Sequence, residues 1–245
     1  ISAGQGHNLV IGDSGIITAA NEALNRYIGQ PITAITVGRI ETTAFSDGGV
    51  DGITTLGGHD VVLGGHDGDI IEAGDGDNLV VGDDGVIDYV RFERGGATPG
   101  GDTDASDIDL IESLSTTAAG GADQIDTGTG NDIVIGGRFG DAINAHSGNN
   151  VVLADSGRIT AADANGSRFG SAPLTLLTFG RIETTQPGDG GNDTVTTGIG
   201  RDIIFGGTGG DTIVANDGET PTAPDADNTI FGDDGYIDYV RAERE

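Results

Sequence analysis

The chain has 245 residues, a net charge of −29 and 46 glycines, with 4% aromatic residues and no Cys, Met or Trp. Its acidity argues against nucleic acid as a partner, since phosphates need basic patches, and against anionic membranes. No disulfide or thiolate metal site can form, no apolar run approaches the ~20 residues of a membrane helix, and the balance favours cations.

Few aromatics and high charge usually mark disorder. Here the 31 Asp and the glycines are ordered instead. In chain order, a truncated copy opens the sequence as AGQGHNLVI and GDSGIITAA (3–20). A linker follows at 21–45, holding NEALNRY, which reads as one or two helical turns, and the strand-like ITVGRIETT. From Ser46 the rows are SDGGVDGIT, TLGGHDVVL, GGHDGDIIE, AGDGDNLVV and GDDGVIDYV. A second linker, 91–117, contains GGATPGGDTDASD, a surface loop by composition, then DIDLIESLSTT. From Ala118 come AAGGADQID, TGTGNDIVI, GGRFGDAIN, AHSGNNVVL and ADSGRITAA, then a linker at 163–187 ending in LLTFGRIETT. From Gly188 come GDGGNDTVT, TGIGRDIIF and GGTGGDTIV, an interruption at 219–226, and finally GDDGYIDYV.

GRIETT recurs at an offset of 142, and so does IDYVR once the interruption is removed. Half of that, about 71 residues, is a module, and a fixed period means repeat architecture. The expected organisation is one continuous solenoid over 1–245: a partial module 1–45, modules 46–117 and 118–187, and a partial module 188–245, read as a slice of a longer array.

A Gly-rich turn followed by x-aliphatic-x is a turn plus a very short strand, with the aliphatic pointing inward. Two rows make one coil of 18 residues, so rows n and n+2 stack on one edge about 4.8 Å apart. Asp51 then lies beside Asp69, and Asp60 beside Asn78. Columns of carboxylates at that spacing repel unless neutralised. Ca²⁺, which takes 6–8 oxygen ligands and accepts backbone carbonyls, suits this better than Mg²⁺.

The rows resemble the RTX (hemolysin-type) calcium-binding nonapeptide GGxGxDxUx, most closely in GGTGGDTIV, TGTGNDIVI, TGIGRDIIF and GDGGNDTVT. The resemblance covers over half the chain. It implies an all-β fold, a calcium-bound parallel β-roll (β-solenoid), secretion of an unfolded chain and folding outside the cell. It implies as metal ligands Asp51, Asp60, Asp69, Asp123, Asp132, Asp141, Asp193, Asp202 and Asp211, with Asn78, Asn150 and Asn228 (and Asn8) as weaker members. Gly49, Gly58, Gly121, Gly130, Gly191 and Gly200 of the same turns are expected to belong to the metal sites with them. About six Ca²⁺ ions are expected from the row pairing. The column should end where the sixth position becomes Ile87, Ile159 or Ile237, and the linker strands should continue the solenoid without calcium. Ten or so coils would make a rod of roughly 50 Å.

Other readings weigh less. GDDG and GDSG/ADSG read as turns rather than ion sites. His7, His59, His66 and His146 read as solvated turn residues rather than a zinc site. Arg39, Glu41, Arg181 and Glu183 read as a solvated ion-paired face. No unique constellation of the kind catalysis needs appears, so no enzyme is expected within this segment. TGTGND occurs once, too rarely for an ice-binding face. The expected role is a calcium-dependent extender or stalk of a large secreted or cell-surface bacterial protein such as an adhesin, its partners calcium and neighbouring repeats. A glycan or other cell-surface ligand would lie outside this segment. The alternative is a secretion and folding carrier for an RTX enzyme or toxin whose catalytic domain lies elsewhere.

Overall fold

A computed structural model describes residues 1–19, 37–91, 108–115, 119–162 and 177–241. NEALNRY and the loop at 95–107 lie outside them. Twenty-one short strands form three seven-stranded sheets.

The first sheet takes the odd rows: β1 (Ser2–Gln5), β5 (Gly52–Gly57), β7 (Ile70–Glu72), β11 (Gln124–Asp126), β13 (Ala142–His146), β17 (Thr194–Thr197) and β19 (Thr212–Val214). The second takes the even rows: β2 (Leu9–Ile11), β6 (Val61–Gly65), β8 (Leu79–Asp83), β12 (Ile133–Gly137), β14 (Val151–Asp155), β18 (Ile203–Phe205) and β20 (Thr229–Phe231). Both are parallel throughout, and rows n and n+2 pair in register, as at Ile53↔Ile71 and Val62↔Val80.

The third sheet corrects an expectation. The linker strands do not extend a parallel roll. Each pairs antiparallel with the fifth-row strands, as Ile40↔Ile87, Ile111↔Ile87 and Ile182↔Ile159 show. Its members run in sequence order: β3 (Gly15–Ala19), β4 (Val37–Thr42), β9 (Gly85–Asp88), β10 (Leu110–Ser113), β15 (Gly157–Ala161), β16 (Phe179–Thr184) and β21 (Tyr236–Asp238). The reason is translational. Each module adds two strands to each parallel sheet, so it must climb two strands on the third face, and an out-and-back excursion does that. The stack is shorter than expected for the same reason. Seven strands per sheet span about 29 Å at the usual spacing, not 50 Å.

The three sheets are layered. The middle residues of the even strands (Val62, Val80, Val134, Val152, Ile204) pack against Ile53, Ile71, Ile125, Ile143 and Val195 of the first sheet. Their neighbours (Val61, Leu63, Leu79, Val81, Ile133, Ile135, Leu153, Phe205) pack against Ile40, Ile87, Ile111, Ile159 and Ile182 of the third. The second sheet is therefore covered on both faces, which is why its rows read VVL, LVV, IVI and IIF with no polar alternation. Odd rows read GIT, IIE, QID and AIN, because their outer face is open. At roughly 1.5–3 kcal/mol per fully buried aliphatic side chain, these two cores are the main apolar driving force.

Candidate metal centres at the two edges of the coil

Chain reversals collect at two edges. At the first, the chain enters the odd strands; at the second, it passes from odd to even strands. The sixth-position residues form one file along each edge.

On the first edge, each carboxylate accepts the backbone N–H of the Asp one coil before it. Asp51 N–H donates to Asp69 Oδ1 (2.7 Å), Asp69 to Asp123 (2.6 Å), Asp123 to Asp141 (2.8 Å), Asp141 to Asp193 (2.7 Å) and Asp193 to Asp211 (3.0 Å). The partner lies 18 residues on within a block, and 54 or 52 residues on across a linker. The excursion to the third sheet thus leaves the file in register.

One oxygen of each carboxylate is spent this way. The other, Oδ2 of Asp69, Asp123, Asp141, Asp193 and Asp211, is buried with no hydrogen-bond partner. Asp69 and Asp123 are 1% exposed, and Asp141 and Asp193 2%. An isolated buried carboxylate oxygen costs several kcal/mol unless a proton or a cation meets it. Desolvation accordingly lifts Asp69 to about 7, Asp193 to about 6 and Asp123 to about 9, with the charge of Asp83 adding to the last. Asp141 goes well above the carboxylate range, first by burial and then by the Asp123 charge.

The Oδ2 atoms face backbone carbonyls. Beside Gly64, Asp69 Oδ2 and the Gly82 carbonyl oxygen converge so closely that a Cβ would collide with both. Gly82 meets Asp123 Oδ2 with Gly136 O, Gly136 meets Asp141 Oδ2 with Ala154 O, and Gly12 meets Asp51 Oδ2 with Gly64 O. At Gly206 the added carbon would stand 2.6 Å from Asp211 Oδ2 and 2.5 Å from Gly232 O. Pairs of electron-rich oxygens, one of them an unpartnered carboxylate oxygen, suit a hard, oxygen-seeking cation. Among the described residues, no three His, Cys, Asp or Glu side chains converge on one point. A cation here would need backbone carbonyls as co-ligands, since no three of these carboxylates meet at one point.

The second edge runs Asn8, Asp60, Asn78, Asp132, Asn150, Asp202, Asn228. Each Oδ1 again accepts the preceding N–H, as from Asp60 to Asn78 (3.0 Å), Asn78 to Asp132 (2.8 Å), Asp132 to Asn150 (2.9 Å), Asn150 to Asp202 (2.8 Å) and Asp202 to Asn228 (2.8 Å). Burial raises Asp132 to about 8 and pushes Asp202 upward.

The glycines divide by edge. The N–H groups of Gly49, Gly121 and Gly191 donate to Asp13, Asp83 and Asp155 (3.3, 2.9 and 3.2 Å). Gly58, Gly130 and Gly200 stack so tightly on Gly6, Gly76 and Gly148 that a Cβ would meet a backbone carbonyl. Asp13, Asp83 and Asp155 belong to the GDSG, GDDG and ADSG segments. Their second oxygens take N–H groups one coil further on, from His66 (2.7 Å), Arg138 (2.6 Å) and Thr208 (2.5 Å). They are clips joining successive turns rather than plain turn residues. Sequence reasoning missed this role, although their recurrence two residues into every fifth row was a signal.

The histidines do not assemble a metal site among the described residues. His7 and His59 stack with ring centroids 4.9 Å apart and join a fifth-position ladder. His59 N–H donates to His7 Nδ1, Asp77 N–H to His59 Nδ1, and Asn131 N–H to Asp77 Oδ1. Arg39 pairs with Glu41 and Asp88, Arg158 with Glu183 and Glu112, and Arg181 with Glu183 and Asp238, all on the third sheet.

Comparison with protein-family models, with curated proteins and with solved structures found no match.

Proposed function

We propose that this chain is a calcium-stapled β-solenoid of the RTX type, acting as a structural extender or stalk segment of a large secreted or cell-surface protein. The observation that carries the reading is the file of buried, unpartnered Asp Oδ2 atoms facing backbone carbonyls. A bound Ca²⁺ supplies positive charge and demands several oxygens at once. The chain supplies Asp69, Asp123, Asp141, Asp193 and Asp211, with carbonyls such as Gly82 O and Gly136 O opposite. Its own hydrogen bonds hold each Oδ1 in place, so only Oδ2 is offered. Since the file exists only in the folded state, binding free energy is folding free energy. In a calcium-poor compartment, the −29 charge and the unneutralised file favour an extended, exportable chain; outside, cations close the stack.

Two features support a structural role. Each module adds the same increment to all three sheets, as in quasi-one-dimensional repeat proteins. The ligand-bearing turns are also nearly alike from coil to coil, so no single one stands out as a reaction centre. Small-angle scattering tests the reading. With Ca²⁺ the radius of gyration should be near the roughly 18 Å of a folded chain of this length, and with chelator it should approach the roughly 54 Å of an unfolded one. Equal radii in both conditions would defeat the proposal.

A further inference from the structure

We infer that divalent cations occupy the first edge of the coil, and that the second edge from Asn78 to Asp202 is a metal-free spine of hydrogen bonds. This rests on the cation reading above and narrows it to one file.

The two edges share the same sixth-position N–H to Oδ1 ladder, so the difference lies in what the other polar atom does. On the first edge, the buried Oδ2 of Asp69, Asp123, Asp141, Asp193 and Asp211 has no partner. On the second, every other residue is Asn, and its amide stands in for a cation. Asn78 Nδ2 donates to the carbonyls of Gly74 (2.8 Å), Gly76 (3.0 Å) and Thr127 (3.0 Å). Asn150 Nδ2 donates to Ala145 O and His146 O (both 3.2 Å), and Asn8 Nδ2 to Gly4 O (3.0 Å) and Gly6 O (2.9 Å). These are turn carbonyls of the kind a cation would need, and the amide has taken them.

The intervening aspartates are satisfied too. Asp132 Oδ2 accepts Thr127 Oγ1 (2.8 Å), and Asp202 Oδ2 accepts Thr197 Oγ1 (2.6 Å). The sequence encodes the alternation: Thr stands five residues before Asp132 and Asp202, and Ala stands five before Asn78 and Asn150. The hydroxyl is present where a carboxylate needs a donor and absent where an amide already donates. Charges on this edge recur only every second coil, roughly 9.6 Å apart, so their mutual repulsion is about half that of neighbours on the first edge. Asp60 is the exception. Thr55 Oγ1 donates to Ala73 O (2.6 Å), leaving Asp60 Oδ2 unpaired beside Asn8. Asp60 is therefore left out of the test.

Two double variants separate the edges, with bound Ca²⁺ per chain counted by native mass spectrometry and equilibrium dialysis. Asp132→Asn with Asp202→Asn should keep the wild-type count. Asp123→Asn with Asp141→Asn should lose ions. Should the latter variant fail to fold, anomalous scattering from Tb³⁺-loaded wild-type crystals decides, with peaks expected along Asp69, Asp123 and Asp141. A lower count in the Asp132/Asp202 variant, or a Tb³⁺ peak at either of those residues, overturns the one-edge assignment and leaves the calcium reading standing. A wild-type chain that binds no calcium overturns both.

Discussion

Strip the chain of divalent cations with a chelating resin and the file of aspartates becomes a proton trap. Burial raises Asp69 to about 7, Asp123 to about 9 and Asp193 to about 6. A carboxyl whose folded pKa lies above its unfolded value of ~3.9 holds its proton more tightly when folded. Its contribution is fully present below the unfolded value and is lost as pH rises through the folded one. For a group near 7, the loss between pH 4 and pH 7 is at most about 1.4 kcal/mol per pH unit and is reduced by solvent screening, so it is on the order of 1–4 kcal/mol. The file titrates as a coupled unit, so the total is smaller than this figure times the number of groups. Even one such group is a sizeable part of the ~5–15 kcal/mol stability of an ordinary domain. The cation-free chain should therefore fold in mild acid and unfold across pH 6–9, protons doing the work of the metal. With Ca²⁺ the slope should reverse, because falling pH then protonates the ligands and releases ions. Urea midpoints by circular dichroism at pH 4.5, 6, 7.5 and 9, with and without Ca²⁺, give the comparison. A cation-free midpoint that stays level or climbs between pH 5 and 8 would refute the claim that these carboxylates are buried and unpaired.

Five substitutions extend the account. Gly136→Ala puts a methyl group against Asp141 Oδ2 and Ala154 O, so Ca²⁺ affinity should fall at least tenfold by calorimetric titration, while Gly49→Ala, which meets open space, should leave it unchanged. Thr127→Val leaves Asp132 Oδ2 without its donor and should cost about 1–3 kcal/mol in urea unfolding with no change in ion count. Leu153→Ala opens a cavity between the second and third sheets and should cost about 2–5 kcal/mol with Ca²⁺ saturating. Asp155→Asn removes a clip that ties Gly191 to Thr208, and hydrogen exchange at those two amides should quicken while exchange at Val152 stays slow.

Much of the architecture was legible because a nine-residue period leaves little freedom. The nine-residue frame with Asp or Asn at six predicted that Asp51 would stack on Asp69 and Asp60 on Asn78, and they do. The third sheet was harder to see. ITVGRIETT reads as a strand, but which way it pairs depends on where the preceding loop turns, and a strand's own pattern carries no direction. One clue lay in the even rows. VVL and LVV lack polar alternation, so something had to cover their second face, and the only other strand-like runs were those in the linkers. The difference between the edges was likewise written in Thr with Asp and Ala with Asn. Its meaning needed coordinates, because a Thr hydroxyl five residues before an Asp reaches its carboxylate only once the turn is folded. The clip role of Asp83 and Asp155 was hidden for a similar reason, since GDDG and ADSG satisfy local turn rules just as well.

The most direct measurement is far-UV circular dichroism during a Ca²⁺ titration of the cation-stripped chain at pH 7.5, with Mg²⁺ in parallel and EGTA added at the end. A cooperative gain of β-signal with Ca²⁺ alone, reversed by EGTA, is the predicted result. A β-signal already complete before any Ca²⁺ is added, and indifferent to EGTA, would contradict calcium-coupled folding and leave the aspartate file as hydrogen-bonded turn chemistry.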